Sequence, residues 1–472
     1  MVDIKGLTVK KSENFSEWFT EIIQKAELAD YSPVRGFMII RPRAYALWEN
    51  IQNQFNKVLR EKGVLNAYFP LLIPDSFFKK EAEHAEGFAP ELAYIEQKDD
   101  GVKLAIRPTS ETIMYDSYSK WIRSYRDLPL KLNQWCNVVR WEVKQTKPFL
   151  RTREFLWQEG HCAFATENEA IENMNEMVRA YQEIAEGLLA IPVIVGSKSK
   201  MEKFAGAVTT LTTEAIMSDG KALQMGTSHN LGQNFAKAFN VMYKDKNEKD
   251  QYVWQTSWGF STRLIGALIM VHGDDKGLVI PPKLASNKIV IVPILFEDSK
   301  DKVLAYCRNI ASKLSEFGVF VDDREGYSAG WKFSEWELKG VPLRIEVGPK
   351  DLEKKQVVIV RRDNGFKEII SDKEIIKTVS SSLETMQKDM YLKARKNFDS
   401  KIDSARDVKQ LIKKLDEGKM VKVFMVDDKE IEQKLKEQTG AASRIVEEER
   451  EEGVCIISGK KTKTIAYVAR NY

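Results

Sequence analysis

Cysteine is scarce and scattered. The four cysteines stand at 136, 162, 307 and 455. No CxxC pair occurs, so neither a disulfide framework nor a zinc cluster is indicated, and a reducing, cytoplasmic compartment is expected. Long apolar runs are also missing: no stretch approaches the ~18 apolar residues of a membrane span. The segment "LIGALIMVHG" is apolar but short and reads as a buried core helix. The N-terminal "MVDIKGLTVKKSENFSEWF" lacks the apolar core of a signal peptide, so a soluble protein with no membrane partner is expected. Nor does one sign of charge dominate. The net charge is +4 and the pI about 8.5, compatible with a nucleic-acid partner without requiring one. No internal repeat is found.

What is present is a chain of 472 residues with 43% hydrophobic content, enough for two to four domains. Ala44, Leu47, Ile51, Phe55 and Val58 recur at helical spacing, which predicts a helix over 42–62 that Gly63 stops. Segments 130–145 and 153–165 read as an antiparallel hairpin with a polar loop around Pro148, and 167–190 returns to helix. At "GLVIPPKLAS" the Pro-Pro pair marks a linker. After it, "KIVIVPIL", a helix from about 299 to 317, "VFVDDR", "VPLRIEVGP" and "QVVIVRR" alternate as in a small α/β domain. A charged helix over 371–399 follows. The acidic run "EEEREE" at 447–452 reads as a solvated face or loop.

The densest chemistry lies in "RWEVKQTKPFLRTREFLWQEGH", residues 140–161. Alternate residues of a strand share a face. Arg140 and Glu142 would then point one way, as would Arg153 and Phe155, and Trp157, Glu159 and His161. Such a face suits the floor of a polar pocket: arginine offers a planar fork for phosphate or carboxylate, carboxylates take amine donors, and rings stack on a base. A solvated surface of cross-strand ion pairs explains the same residues equally well.

The rest of the chain separates these readings. The Arg-x-Glu strand, its loop and "RTREF" resemble motif 2 of class II aminoacyl-tRNA synthetases. The helix at 42–62 running into "AYFP", with Pro70, resembles motif 1. "SWGFSTRLIGALI", with Arg263, resembles motif 3. "RPTSET", "WQEGH", "EKFAGA", "MGTSHNLGQNFAKAF", "KGVPLRIEVGP" and the final "RNY" together resemble the prolyl-tRNA synthetases of archaeal and eukaryotic type, over essentially the full chain. The resemblance implies an α/β (α+β) architecture in three parts. These are a class II antiparallel-sheet catalytic domain at 1–278, an α/β anticodon-binding domain at 286–380 and a small α+β C-terminal domain at 381–472.

It also implies an activity: L-proline and ATP give prolyl-adenylate, and the prolyl group passes to the 3′ end of tRNA(Pro). Arg140 and Arg263 would be the catalytic arginines, Arg140 bridging the proline carboxylate and the α-phosphate. Glu142, Arg151, Thr152, Phe155, Gln224, Thr227 and Ser261 would complete the ATP site, with Mg2+ on the phosphates. Thr109 and Glu111, on one side of an extended segment, would accept from the proline nitrogen. Trp157, Phe204, His161 and His229 would wall its ring, and Glu159 would either meet the ligand or orient His161. Alone, Phe204 and His229 would more often be ordinary core residues.

Glu337, Lys339, Arg344 and Glu346 are the candidates for reading the anticodon; an ordinary charged sheet edge is the alternative. Motif 1 implies a homodimer. Tyr472 would reach toward the active site. Family members often hold a structural zinc in the C-terminal domain through four cysteines; here only Cys455 lies in that region, so no zinc is expected. The alternative to an enzyme is a catalytically inactive, synthetase-like regulator that binds tRNA or an amino acid. A third reading, proline activation for a carrier protein, sits poorly with an anticodon-like domain.

An apolar pocket separates ligands differing by a methylene by only about 10–200-fold, so alanine should enter. The interval between "WQEGH" and "SWGFSTR" is too short for the editing insertion of many bacterial prolyl enzymes. The purified protein should therefore leave alanyl-tRNA(Pro) intact. Rapid deacylation in a hydrolysis assay would refute this.

Overall fold

The computed structural model describes residues 6–84, 91–96 and 101–472. Its backbone is organised by an eleven-stranded sheet. From one edge the strands run Ile402–Ser404, Met420–Phe424, Lys461–Ala469, Ala442–Val454, Ile194–Ser197, Thr209–Ile216, Ala222–Gly232, Trp254–Ser261, Glu154–Phe164, Leu130–Val139 and Leu65–Asn66. Neighbours are antiparallel except for the outermost pair at each edge. Four strands at one end come from the C-terminal region, and the join to the catalytic region is the pairing of Val446 with Ser197.

One face of the sheet is covered by helices. The helix Pro42–Glu61 starts on a proline, whose missing N–H is no loss there. It ends at Lys62, with Gly63 in the left-handed conformation that glycine adopts without strain. Trp48 and Phe55 from this helix and Tyr181 from the helix Glu167–Glu183 converge on Phe260, with ring centroids 5.0–6.0 Å apart. The helix Glu167–Glu183 opens with a capping box, Thr166 and Glu169 bonding each other's backbone N–H. It closes on a π turn, Ile184–Leu188, where the sequence predicted unbroken helix. Arg263–His272 is the buried apolar helix expected from "LIGALIMVHG".

The hairpin Leu130–Val139/Glu154–Phe164 forms in the register 138↔155 to 130↔163. Its first strand stops at Val139, earlier than the 145 expected, so Arg140 and Glu142 leave the ladder. The Arg140 N–H closes the hairpin on the Arg153 carbonyl at 2.7 Å. Beyond that point Arg153 gives its own N–H to the Gly36 carbonyl and its Nε to the Val143 carbonyl, leaving no partner to extend the strand. Arg153 stacks on Trp141, its guanidinium 4.4 Å from the ring, and does not share a face with Phe155.

A separate five-stranded sheet, ordered Val319–Val321, Ile289–Pro293, Leu343–Val347, Gln356–Arg361 and Lys367–Ser371, carries its own core. The helix Ile375–Asp399 starts in that core through Ile375, Val379 and Leu383. It then packs Met386 and Met390 on Ala190 and Val279, and Phe398 against the C-terminal strands. The expected boundary at 380 thus falls inside one continuous helix. Two arginines fasten this region to the first: Arg362 forks onto Asp274 at 2.6 and 2.8 Å, and Arg43 donates to the Lys339 carbonyl at 2.8 Å. The acidic run 447–452 lies in the strand Ala442–Val454 and is exposed. Among the described residues, no helix is long and apolar enough to cross a membrane.

Gly160 lies directly across from Trp258, and a Cβ there would sit 2.1–2.2 Å from the buried indole. Gly160→Ala should therefore cost about 1–3 kcal/mol by overpacking. Urea denaturation followed by tryptophan fluorescence will measure it; an unchanged midpoint would show that the ring can move aside.

Candidate active site

The opposite face of the sheet floors a cavity of about 500 Å³, with the helix Glu111–Trp121 packed at one end of it. Strand alternation assigns the floor: Phe155, Trp157, Glu159 and His161 from one strand, and Ser257, Gly259 and Ser261 from its neighbour. Gln224, Thr227 and His229 come from the strand Ala222–Gly232.

One end is acidic. Carboxylate oxygens of Glu111 and Glu159 and a ring nitrogen of His161 all lie within 4.8 Å of one another, fully buried. Glu111 is the first residue of the helix Glu111–Trp121, so it and Thr109 meet across a helix start and not along the extended segment expected. The Thr109 hydroxyl donates to the Glu111 carboxylate. Glu159 accepts from the Ser110 N–H at 3.1 Å, from Gln134 Nε2 at 3.0 Å, and pairs with His161 Nε2 at 3.2 Å. Tyr115 holds the other ring nitrogen of His161 at 3.0 Å. Glu159 thus orients His161 while lining the cavity itself.

Burial alone would pull the His161 pKa down, but Glu111 and Glu159 outweigh it and the pKa is raised. Burial would raise the Glu159 pKa, but its bonds to His161, Ser110 and Gln134 outweigh that and it is lowered. With His161 protonated, the three groups carry one net negative charge, a match for a cation. His229 differs. Burial, with a smaller push from His161, takes its pKa down to about 3, so it is neutral. It bonds Thr210 at 2.9 Å and lies 4.7 Å from the Phe204 ring, the two forming a wall.

The other end is cationic. Arg140 projects from the turn after Val139, its guanidinium 5.3 and 5.4 Å from the Phe155 and Trp157 rings. Arg263 sits at the strand-to-helix junction, its Nε bonded to the Leu150 carbonyl at 3.0 Å. Burial and then the charge of Arg140 lower Arg263 to about 10, and both arginines remain cations at neutral pH. Glu142, Gln224, Thr227 and Ser261 line this end.

Two expected nucleotide residues are not among those lining the cavity, though Arg151 is near enough to Arg263 for its charge to help lower that pKa. Arg151 is exposed on the loop, tied to Lys147 through backbone bonds of 2.7 and 2.9 Å, and Thr152 is buried beneath it; neither lines the cavity. Conversely, Lys198, Glu202, Thr210 and Ser257 line it unforeseen. Ser257 was legible, since it shares the strand face of Ser261; Lys198 and Glu202 carried no such signal.

The anticodon candidates are engaged within the protein. Glu337 pairs with Lys276 at 3.0 Å, and Lys339 with Glu27 and Glu335 at 2.9 Å each. These two serve the junction with the first region, because the helix Ala329–Leu338 packs there. Arg344 pairs with Glu346 at 3.0 Å, and Glu346 with Lys367 at 2.6 Å. Tyr472 docks on the catalytic region: its hydroxyl donates to Asp219 at 2.5 Å and its N–H to the Ala222 carbonyl at 3.3 Å.

The raised His161 pKa stabilises the fold fully below its ordinary value of 6.5, and that contribution is lost as pH rises through the folded value. The lowered Glu159 pKa stabilises above 4.5 and is lost as pH falls through its folded value. The melting-temperature gap between the native protein and His161→Gln should thus be widest between these limits and shrink toward alkaline pH. A gap independent of pH would mean that His161 is not charged.

Comparison with known proteins fits this arrangement. Residues 94–272 match the tRNA synthetase class II core domain (G, H, P, S and T), 288–382 an anticodon binding domain, and 408–472 the prolyl-tRNA synthetase C-terminal domain. The chain is 48% identical to a proline–tRNA ligase of Alkaliphilus oremlandii, covering 97% of this chain and 96% of that one. It is 50% identical to one from Chlorobium phaeovibrioides (98% of each) and 47% to one from Oceanobacillus iheyensis (98% and 97%). These relatives are bacterial and lend no support to the archaeal and eukaryotic qualifier. Identity at this level over nearly the whole length, across all three matched domains, shows that the chain belongs to the proline–tRNA ligase family of class II aminoacyl-tRNA synthetases.

Proposed function

We propose that this chain is a working proline–tRNA ligase and that the cavity is where L-proline meets ATP. The observation that carries the reading is the cavity's polarity: the carboxylates of Glu111 and Glu159 beside His161 at one end and two arginines at the other. An amino acid has the opposite polarity. Its secondary ammonium, with two N–H donors, would bind the carboxylates. Its carboxylate would point at Arg140, and Phe204, His229 and Trp157 would enclose the ring.

Arg140 would then hold the attacking carboxylate oxygen and the α-phosphate together, while Arg263 neutralises the remaining phosphate charge. Phe155 presents a face for adenine, and Gln224, Thr227 and Ser261 offer polar contacts along the way. Mg2+ would arrive with the triphosphate as part of the substrate and screen its charge, and Glu142, a carboxylate lining the cavity, would be a group to meet it. The work is positioning and charge neutralisation, not general acid–base catalysis. The inactive regulator fits less well, because both arginines stand in the cavity and the relatives carry the name of an enzyme.

tRNA(Pro) is the acceptor we infer, with the 288–382 region on its anticodon. Of the four candidates, Arg344 and Glu346 lie paired on the strand Leu343–Val347, and Glu337 and Lys339 lie at the domain junction. Exposed Leu65 and Tyr68, just beyond the helix Pro42–Glu61, support the homodimer reading. A cytoplasmic location and a C-terminal domain without zinc belong to the same reading.

Amino-acid-dependent ATP–pyrophosphate exchange, with all twenty amino acids and no tRNA, tests it. Strong exchange with proline and weaker exchange with alanine is expected, with Arg140→Lys losing on the order of a hundredfold or more. Absence of exchange with every amino acid would make the regulator the better reading.

A further inference from the structure

The cavity wall that includes Phe204 is a loop, and that loop is gripped from outside. After the strand Ile194–Ser197 the chain turns through 198–208, placing Lys198, Glu202 and Phe204 at the cavity. From the sheet side, the Lys198 N–H donates to the Thr210 carbonyl and the Val208 N–H to the Asn230 carbonyl, each at 2.8 Å, at the loop's two ends. Asn234 donates to the Gly206 carbonyl at 2.9 Å, and the Phe204 N–H donates to Thr210 at 3.1 Å while its ring faces His229.

The outer side meets the C-terminal region at four places. Ser197 pairs with Val446. The Ser199 hydroxyl donates to Glu432 at 2.5 Å, and the Lys200 N–H donates to Asp427 at 2.9 Å. The fourth is ionic. Arg444 forks onto Glu214 at 3.1 Å through both Nε and Nη2 and lies 3.9 Å from Glu202. Glu214 also holds Lys198 at 2.7 Å and accepts from Thr212 at 2.9 Å. Arg444, Glu214 and Lys198 are all at most 5% exposed. Two cations and two carboxylates therefore balance in a joint at the wall, Glu202 being the partly exposed member.

From this geometry we propose that the C-terminal domain is a positioning element of the amino-acid pocket, with Arg444 and Glu432 acting through Glu214, Glu202 and Ser199 to set the loop that carries Phe204. None of these C-terminal groups lines the cavity; Arg444 meets Glu202, which does, and through Glu214 it meets Lys198, which also does, while Ser199 follows Lys198 in the chain. The sheet-side bonds hold the two ends of the loop and Phe204, whereas Ser199 and Lys200 are held by the C-terminal region, and a displacement of about 1 Å at a substrate wall is enough to cost rate. The outer attachments restrict that displacement. The proposal rests on the assignment of the cavity to proline and ATP, and two measurements keep the two ideas apart.

The first is hydrogen exchange of the full-length protein without substrate, comparing the native chain with Arg444→Met and Ser199→Ala. Segment 198–208 should exchange faster in both variants. Unchanged exchange would overturn the positioning role, whatever the enzyme activates. The second is the kinetics of proline-dependent ATP–pyrophosphate exchange. Arg444→Met should raise KM for proline about tenfold, Ser199→Ala a few-fold, and Arg444→Lys less than Arg444→Met, with KM for ATP nearly constant. A merely structural role would lower the active fraction and leave both KM values alone, and that result would overturn the proposal. Should Arg444→Met fail to fold, Asp427→Ala removes a single outer attachment and carries the same test, whereas Ser199→Ala removes the bond to Glu432 together with one inside the loop, from the Glu202 N–H at 3.2 Å. No proline-dependent exchange by the native protein would count against the functional assignment instead, leaving the hydrogen-exchange result to decide the loop's anchoring.

Discussion

A strand turns successive side chains to opposite sides, and the site depends on that pleat. Along Glu154–Phe164, Trp157, Glu159 and His161 face the cavity, while Gln158 and Gly160 face the helices. Along Trp254–Ser261, Ser257, Gly259 and Ser261 face the cavity, and Trp258 and Phe260 enter the aromatic core. A one-residue slip would bury the charges among Trp48, Phe55 and Tyr181 and expose the indole. The register is therefore fixed by both faces at once. Its price is a fully buried carboxylate at Glu159, which must find donors on its own side of the sheet. It finds them in Ser110, Gln134 and His161, and by binding Ser110 it ties the start of the helix Glu111–Trp121 to the floor. That places Glu111, the second acid of the pocket.

The arginine end has the opposite problem. Arg140 and Arg263 are close enough that Arg140 depresses the pKa of Arg263, and burial depresses both. Two mutually repelling cations in a poorly hydrated cleft are a cost that an arriving polyanion converts into binding. Guanidinium suits this better than ammonium, since it stays charged under such depression and stays planar for bidentate contact. The rings of Phe155 and Trp157 steady Arg140 through their faces before any ligand arrives.

Much of this was legible because it is local. Helical spacing marked Pro42–Glu61, alternation marked the hairpin, and motif order pointed to the class II core. The misses are where tertiary contacts override local pattern. The strand expected to reach 145 ends at Val139 because Arg153 turns its N–H to Gly36, more than a hundred positions away. Glu337 and Lys339 pair with Lys276 and Glu27, far off in sequence, and no local pattern announces such contacts. The joint of Glu214 with Arg444 spans 230 positions, and no periodicity could announce it.

That joint also bears on how the C-terminal region keeps its shape with a lone cysteine, Cys455. A metal cluster would stabilise a small domain from within. The region extends the large sheet, sharing its ladder at Val446 and its charges at Arg444. Removing one member of a buried ion network typically costs about 3–5 kcal/mol, because the partner is left charged and dry. Such a network adds little net stability over apolar packing, but it penalises any other relative placement of the two regions. An apolar joint can slide, whereas a fork of Arg444 on Glu214 with Lys198 behind it holds in one geometry only. A wall that must fit a small ring benefits from that kind of contact, and the fold supplies it from the far end of the chain.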